Sequence, residues 1–252
     1  MNSPFKESAG GAGSFRSTRW TVVLTAAGAG ATASQSHEAL SELCRIYWRP
    51  VYLFLRRNGH SPDDAQDLTQ GFFADLIETR SYARADREKG RFRSFLLGAL
   101  KHFVADERRR DQAQKRGGGT VVESLDQTAI QEMEAQVTSA PQTMPETSYE
   151  RAWALALLRQ TGQRLEQECA TSGKSKLYEL LKTYVAVDRE EAVPYEEMSA
   201  RLSRPIATLR SDLNRLRARY RAILREEVAG TVATSLEVDD ELRYLCRVMV
   251  SV

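Results

Sequence analysis

Cysteine, histidine and long apolar runs are all scarce in this chain. Three cysteines, Cys44, Cys169 and Cys246, stand far apart in 252 residues with no CxxC pair. That argues against a disulfide framework or a zinc knuckle and fits a reducing, cytoplasmic setting. Only three histidines are present, and no cluster of ligating types suggests a metal, a cofactor or a catalytic group. No stretch approaches the ~18 apolar residues needed to cross a bilayer, so membrane insertion is not expected. Arg16 and Arg19 precede a leader-like TVVLTAAGAGATA, but only Val22, Val23 and Leu24 in it are strongly apolar, so export is not expected either. SGKS at 172–175 resembles the end of a phosphate-binding loop. Glu168 stands where that loop requires its first glycine, which removes nucleotide binding from consideration.

What the chain does have is segregated charge. The formal net charge is only +2. Residues 80–116 nevertheless hold twelve Lys/Arg against five Asp/Glu, and residues 204–225 hold seven Arg against Asp212 alone. Between these blocks, residues 117–148 carry Glu123, Asp126, Glu132, Glu134 and Glu146 with no cation. Two basic blocks separated by an acidic segment suggest two contacts with a polyanion.

Helical periodicity runs through most of the rest and predicts an all-α fold, with two helical domains joined by a flexible linker. Residues 1–34 read as a flexible arm, 35–116 as the first domain, 117–150 as the linker, 151–230 as the second domain and 231–252 as an extension. Ser36 is the expected cap of a first helix beginning near His37, with Pro50 expected to kink it. Ser61, Pro62, Asp63 and Asp64 form a strong start for the next helix. In that helix Ala65, Leu68, Phe72 and Leu76 share one stripe. Asp63, Asp67, Gln70 and Glu78 lie opposite, with Phe73 and Ile77 at the stripe's edge. A carboxylate face beside apolar edges suits a basic helical partner. A purely solvated face is the bland alternative.

The following helix, RFRSFLLGALKHFVADERRR, turns Phe92, Leu96, Leu100 and Phe103 inward. Ser94, Lys101, Arg108 and Arg109 are expected outward, and Arg91, Arg93 and Lys101 exceed what complementing a helix dipole requires. Small residues among fork-shaped donors suit a phosphate strand. Near the other end, Tyr195–Leu202, a tight SRP turn and a basic helix from Ile206 match a helix-turn-helix. Arg204, Thr208, Arg210, Ser211, Asn214, Arg215 and Arg217 are its candidate DNA-facing side chains, since Arg and Asn read guanine and adenine edges. The apolar stripe of the tail, Val238, Leu242, Leu245 and Met249, is expected to pack on the second domain.

The order of the acidic DAQDLTQGFF helix, the RFRSFLLGALKHFVADERRR helix, a linker and a basic helix-turn-helix resembles bacterial RNA polymerase sigma factors, and among them the extracytoplasmic-function (ECF) group. The resemblance covers roughly Glu38–Arg116 and Ala152–Glu227. It implies a non-catalytic transcription initiation factor whose partners are core RNA polymerase and promoter DNA, with an anti-sigma factor or a kinase as candidate regulator. Asp63, Asp64, Asp67, Gln70, Phe73 and Glu78 would then face the polymerase. The loop at 81–90 with Arg91, Arg93, Ser94, Lys101, His102, Arg108 and Arg109 would melt and hold the −10 element, a flipped base included. The helix from Ile206 would read the −35 element, and the acidic linker would thread near the RNA exit path. Two departures stand out: His102 where many relatives carry Asn, and SRP in place of a glycine-containing turn. A stand-alone helix-turn-helix regulator is the alternative. A metal-dependent nuclease built on Asp63, Asp64 and Asp67 lacks further ligands to complete a site.

Overall fold

The first helix, α1 (Ala33–Arg57), begins before its expected cap. The Thr32 hydroxyl accepts from the Gln35 N–H (3.3 Å) and the Gln35 side-chain oxygen accepts from the Thr32 N–H (2.8 Å). This reciprocal capping box satisfies two orphan donors, where Ser36 alone would satisfy one. The helix runs on through buried Pro50 without interruption. In this computed structural model residues 32–85, 90–113, most of 130–137, 143–185, 194–232 and 234–250 are described. The N-terminal arm, the centre of the 81–90 loop and much of the linker lie outside them. The described residues are all-α, with no strand.

Helix α2 (Pro62–Glu78) starts as its sequence predicts, with Ser61 Oγ accepting from the Asp64 N–H at 3.1 Å. A 3₁₀ turn at Ser81–Arg84 buries Tyr82, and α3 (Phe92–Ala113) follows. Gly71 sets how closely α2 and α3 approach, because a Cβ there would lie 3.3 Å from Phe103 Cζ. Then come α4 (Pro145–Thr171), α5 (Ser175–Val185), α6 (Tyr195–Leu202), α7 (Ile206–Ala229) and α8 (Val238–Val250).

Two cores result. The first gathers α1, α2 and α3 through Tyr47, Val51, Phe72, Leu96 and Leu100, among others. The second gathers Leu165, Leu177, Leu181, Met198, Leu209, Leu213 and Ile223. Helix α4, 27 residues and so about 40 Å long, passes from one to the other. Tyr149, Trp153 and Leu157 lie in the first core, Leu165 and Cys169 in the second. Residue 151 is the expected start of the second domain, yet Trp153 and Leu157 are buried in the first core, where α4 packs on α1.

A further segment joins the first core rather than the place expected. Met133, in the supposed linker, is buried there, and the neighbouring Glu134 is gripped by Arg56 (2.6 and 2.8 Å) and by the Tyr52 hydroxyl (2.6 Å). The tail packs on α4 and α7, as expected of it, and its Val238 and Leu245 join the first core beside Val228 at the end of α7.

Candidate functional site

The acidic face of α2 forms as predicted with one correction. Asp63, Asp64, Asp67 and Glu78 are exposed and Gln70 is half-buried. Phe73 is not at the surface. It is 2% exposed, stacked on Trp48 at 5.8 Å and edge-on to Phe72. Ile77, 40% exposed, is the apolar side chain this face offers. The correction has a simple cause: α1 covers more of α2 than a single stripe, so the edge position becomes core. Thr69 is likewise fully buried, its hydroxyl donating to the Ala65 carbonyl (2.6 Å).

Helix α3 divides its predicted cations into two groups. Ser94, Lys101, His102, Arg108 and Arg109 are exposed. Lys101 pairs with Glu146 at 2.7 Å, a contact that holds this carboxyl below its usual range. Arg109 pairs with Asp106, and Arg110 with Glu107 (2.5 Å), along the helix surface. Burial lowers the affinity of His60 for a proton, and the charge of Arg108 nearby adds to it.

Arg93 contradicts the expectation of an outward contact. It is 3% exposed, pairs with Glu150 of α4 (2.8 Å) and Glu241 of α8, and lies over the rings of Trp153 (4.4 Å) and Tyr244 (4.5 Å). Half-buried Arg91 places its Nε 2.8 Å from the same Glu241 carboxylate, by distance an ion pair but without hydrogen-bond alignment. Desolvation alone would lower the proton affinity of Arg93, but the two carboxylates more than offset it and the net direction is upward. Burial pushes the Glu241 carboxyl up, with Arg93 and Arg91 opposing. The Tyr149 hydroxyl donates to the Arg93 carbonyl at 3.0 Å.

The sequence carried a signal for this cluster. Arg93, Leu96 and Leu100 fall on one inward row of α3. Glu241 sits three residues after Val238 and four before Leu245, inside the apolar stripe of α8. A charge within each of two buried stripes points to mutual pairing.

In the helix-turn-helix, α6 ends at Ser203 in the left-handed conformation (φ 50°), the place where a glycine is ordinarily found. The Ser199 hydroxyl secures the turn by donating to the Arg204 carbonyl (2.6 Å). Arg204, Thr208, Arg210, Ser211, Asn214 and Arg215 are exposed, whereas Arg217 is half-buried. Asp212, the one acid in this block, draws in Arg204 (3.0 Å) and Arg215 (3.5 Å), and Arg210 lies over the Tyr195 ring (5.5 Å). Farther along α7, Arg219 pairs with Glu168 of α4 through two contacts of 2.7 and 2.6 Å. Arg164 of α4 reaches Glu226 and Glu227 in return.

Among the described residues no group of three His, Cys, Asp or Glu is placed to hold a metal, and no helix is long and apolar enough to cross a membrane. The family model described as ECF sigma factor matches residues 55–226. No curated protein and no solved structure matches the chain.

Proposed function

Because the chain belongs to the ECF sigma factor family and so acts in transcription initiation, we propose that it joins core RNA polymerase through α2 and delivers it to promoters whose −10 and −35 elements α3 and α7 read. The observation that carries this reading is the adjacency of two oppositely charged surfaces. The exposed carboxylates Asp63, Asp67 and Glu78 with Ile77 lie on α2, and Lys101, His102, Arg108 and Arg109 on α3. Gly71 lets those two helices approach at Phe103, and on this reading that contact links enzyme recruitment to strand opening.

On the polymerase side, carboxylates beside an apolar patch fit a basic helical surface, the charges steering encounter and Ile77 supplying desolvated area. On the −10 side, exposed cations spaced along α3 neutralise phosphates of a separated strand. On the −35 side, Arg210, Ser211, Asn214 and Arg215 project from the first turns of α7, the end that enters a major groove. The Asp212 contacts orient Arg204 and Arg215 before DNA arrives.

Transcription from a genomic fragment pool with purified core polymerase, followed by mapping of start sites, tests the reading directly. The full chain should direct initiation at a defined set of sites. Asp67→Arg should weaken core binding and lower all starts together, whereas Arg210→Ala should weaken starts according to their −35 sequence. If Asp67→Arg binds core as tightly as the parent chain, the assignment of α2 to the polymerase is wrong.

A further inference from the structure

Arg93 is held much as a protein holds a nucleotide, but by parts of the same chain. Its guanidinium lies over the rings of Trp153 and Tyr244, within 4.5 Å of both ring centres, and its N–H groups meet the carboxylates of Glu150 and Glu241. A planar guanidinium with an aromatic ring on its face and an anion at its fork is the chemistry that binds unpaired bases and their phosphates. Glu241 and Tyr244 come from α8, outside the family-matched residues 55–226. Arg91, Arg93 and Trp153 lie inside that range. Beside them a cavity of about 780 Å³ opens along α8 itself, lined by Arg91 and by Asp240, Arg243, Tyr244 and Arg247 of α8, so an incoming strand can reach the edge of this cluster before α8 moves.

We propose that α8 is an internal nucleotide mimic: Tyr244 occupies the position of a base and Glu241 that of a phosphate on a platform made of Trp153, Arg93 and Arg91, and an unpaired DNA strand displaces them. The proposal rests on the reading of α3 as the face for opened −10 DNA, and it adds the platform and its built-in competitor. Exchange conserves every type of contact. A phosphate replaces the carboxylate on two guanidiniums, and a base replaces the phenol ring on Arg93. Duplex DNA cannot make the exchange, since its bases are already stacked, so the tail favours strands that are open. With α8 in place the free chain binds single strands weakly.

The test uses the full chain and a fluorescein-labelled, mixed-sequence single-stranded oligonucleotide, followed by anisotropy. The double variant Glu241→Gln/Tyr244→Ala should bind about tenfold tighter or more, the scale of one to two stacked contacts. Adding Arg93→Lys should cancel that gain, because an ammonium has neither the plane nor the fork. No gain, or a gain that survives Arg93→Lys, overturns the proposal. Hydrogen exchange on the unaltered chain gives an arm independent of whether variants fold. Saturating oligonucleotide should speed exchange of the α8 amides, and unchanged or slowed exchange refutes displacement. The same preparations assayed with core polymerase separate the two readings. Loss of core binding and of directed initiation defeats the sigma-factor assignment of these surfaces, whereas intact initiation with α8 unmoved defeats only the mimic.

Discussion

Removing the Arg93 guanidinium while keeping an apolar stem of similar length is the sharpest perturbation of the first core. Arg93→Met leaves Glu241, fully buried, and Glu150, with 15% of its side chain exposed, facing each other across the gap. Taking one partner from a buried ion pair costs about 3–5 kcal/mol, because the remaining charge stays desolvated. That is a large share of the 5–15 kcal/mol by which folded domains are typically stable. At roughly 2–4 °C per kcal/mol for a chain of this size, Tm should drop by about 6–20 °C. Urea unfolding followed by far-UV circular dichroism and by tryptophan fluorescence measures the loss, and Trp48 and Trp153 make fluorescence a reporter of this core. A second signature lies in pH. Burial already raises the Glu241 carboxyl, and losing Arg93 removes the larger of the two opposing charge effects. The native variant therefore binds a proton more readily than its unfolded chain, so its deficit should shrink as pH falls towards the carboxyl's ordinary value of 4.5. Replacing these three charges, as Arg93→Met/Glu150→Gln/Glu241→Leu, should recover most of the loss, because only Arg91, half-buried and able to reach solvent, then lacks its carboxylate. A single-variant loss below about 1 kcal/mol, or one that is flat with pH, would refute the account of this cluster as a coupled buried network.

Gly71→Val should cost about 1–3 kcal/mol in urea unfolding, since its added carbons meet Phe103 where even one Cβ sits at 3.3 Å. Ser203→Gly should stabilise by up to about 1 kcal/mol in the same assay, by relieving a left-handed serine at the end of α6. The Arg56 hydrogen bonds hold the Glu134 carboxyl below its ordinary value of 4.5. Its contribution is therefore complete above about pH 4.5 and is lost as pH falls through the depressed folded value. Exchange protection of the amides around Met133–Ala135, corrected for intrinsic rates, should hold down to that point and then fall, and Glu134→Gln should show the low-pH behaviour at neutral pH.

Local grammar made most individual helices legible. Ser61–Pro62–Asp63–Asp64 marked the start of α2, and the spacing of Ile206, Leu209, Leu213 and Leu216 marked the buried side of α7. Periodicity does not say which surface covers which, and there three residues lie elsewhere than the sequence suggests. Phe73 looked peripheral on α2 alone and becomes core because Trp48 stacks on it. Trp153 looked like the opening of a second domain and instead joins the first core, because one helix can serve two cores along its length. Arg93 looked like a phosphate contact for want of its partners, which lie 57 and 148 residues away. In each case the missing term was a long-range pairing that periodicity cannot express, although a charge within a buried stripe hinted at one.

The use of α4 by both cores raises a mechanical question with a testable answer. On the proposed reading the DNA elements are centred roughly 25 base pairs apart, about 85 Å at 3.4 Å per step. The helices shared by both cores are shorter: α4 is about 40 Å and α7, with 24 residues, about 36 Å. On that reading the cores part when both elements are engaged on one duplex, and α4 bends or breaks where it leaves the first. Thr161 and Gly162 lie there, between Leu157 of the first core and Leu165 of the second. The Thr161 hydroxyl donates back to the Leu157 carbonyl (2.9 Å), a contact that favours bending, and glycine is the weakest helix former after proline. The Tyr178 hydroxyl donates to the Gly162 carbonyl (3.1 Å) and steadies the closed form. A Cβ at Gly162 would meet nothing within 4 Å, so Gly162→Ala should fold normally and gain up to about 1 kcal/mol in urea unfolding. Transcription with core polymerase should fall several-fold all the same, while binding of the variant to an isolated −35 duplex stays at the parent's level. If Gly162→Ala is more stable and initiates as well as the parent, α4 does not hinge there and the cores part elsewhere.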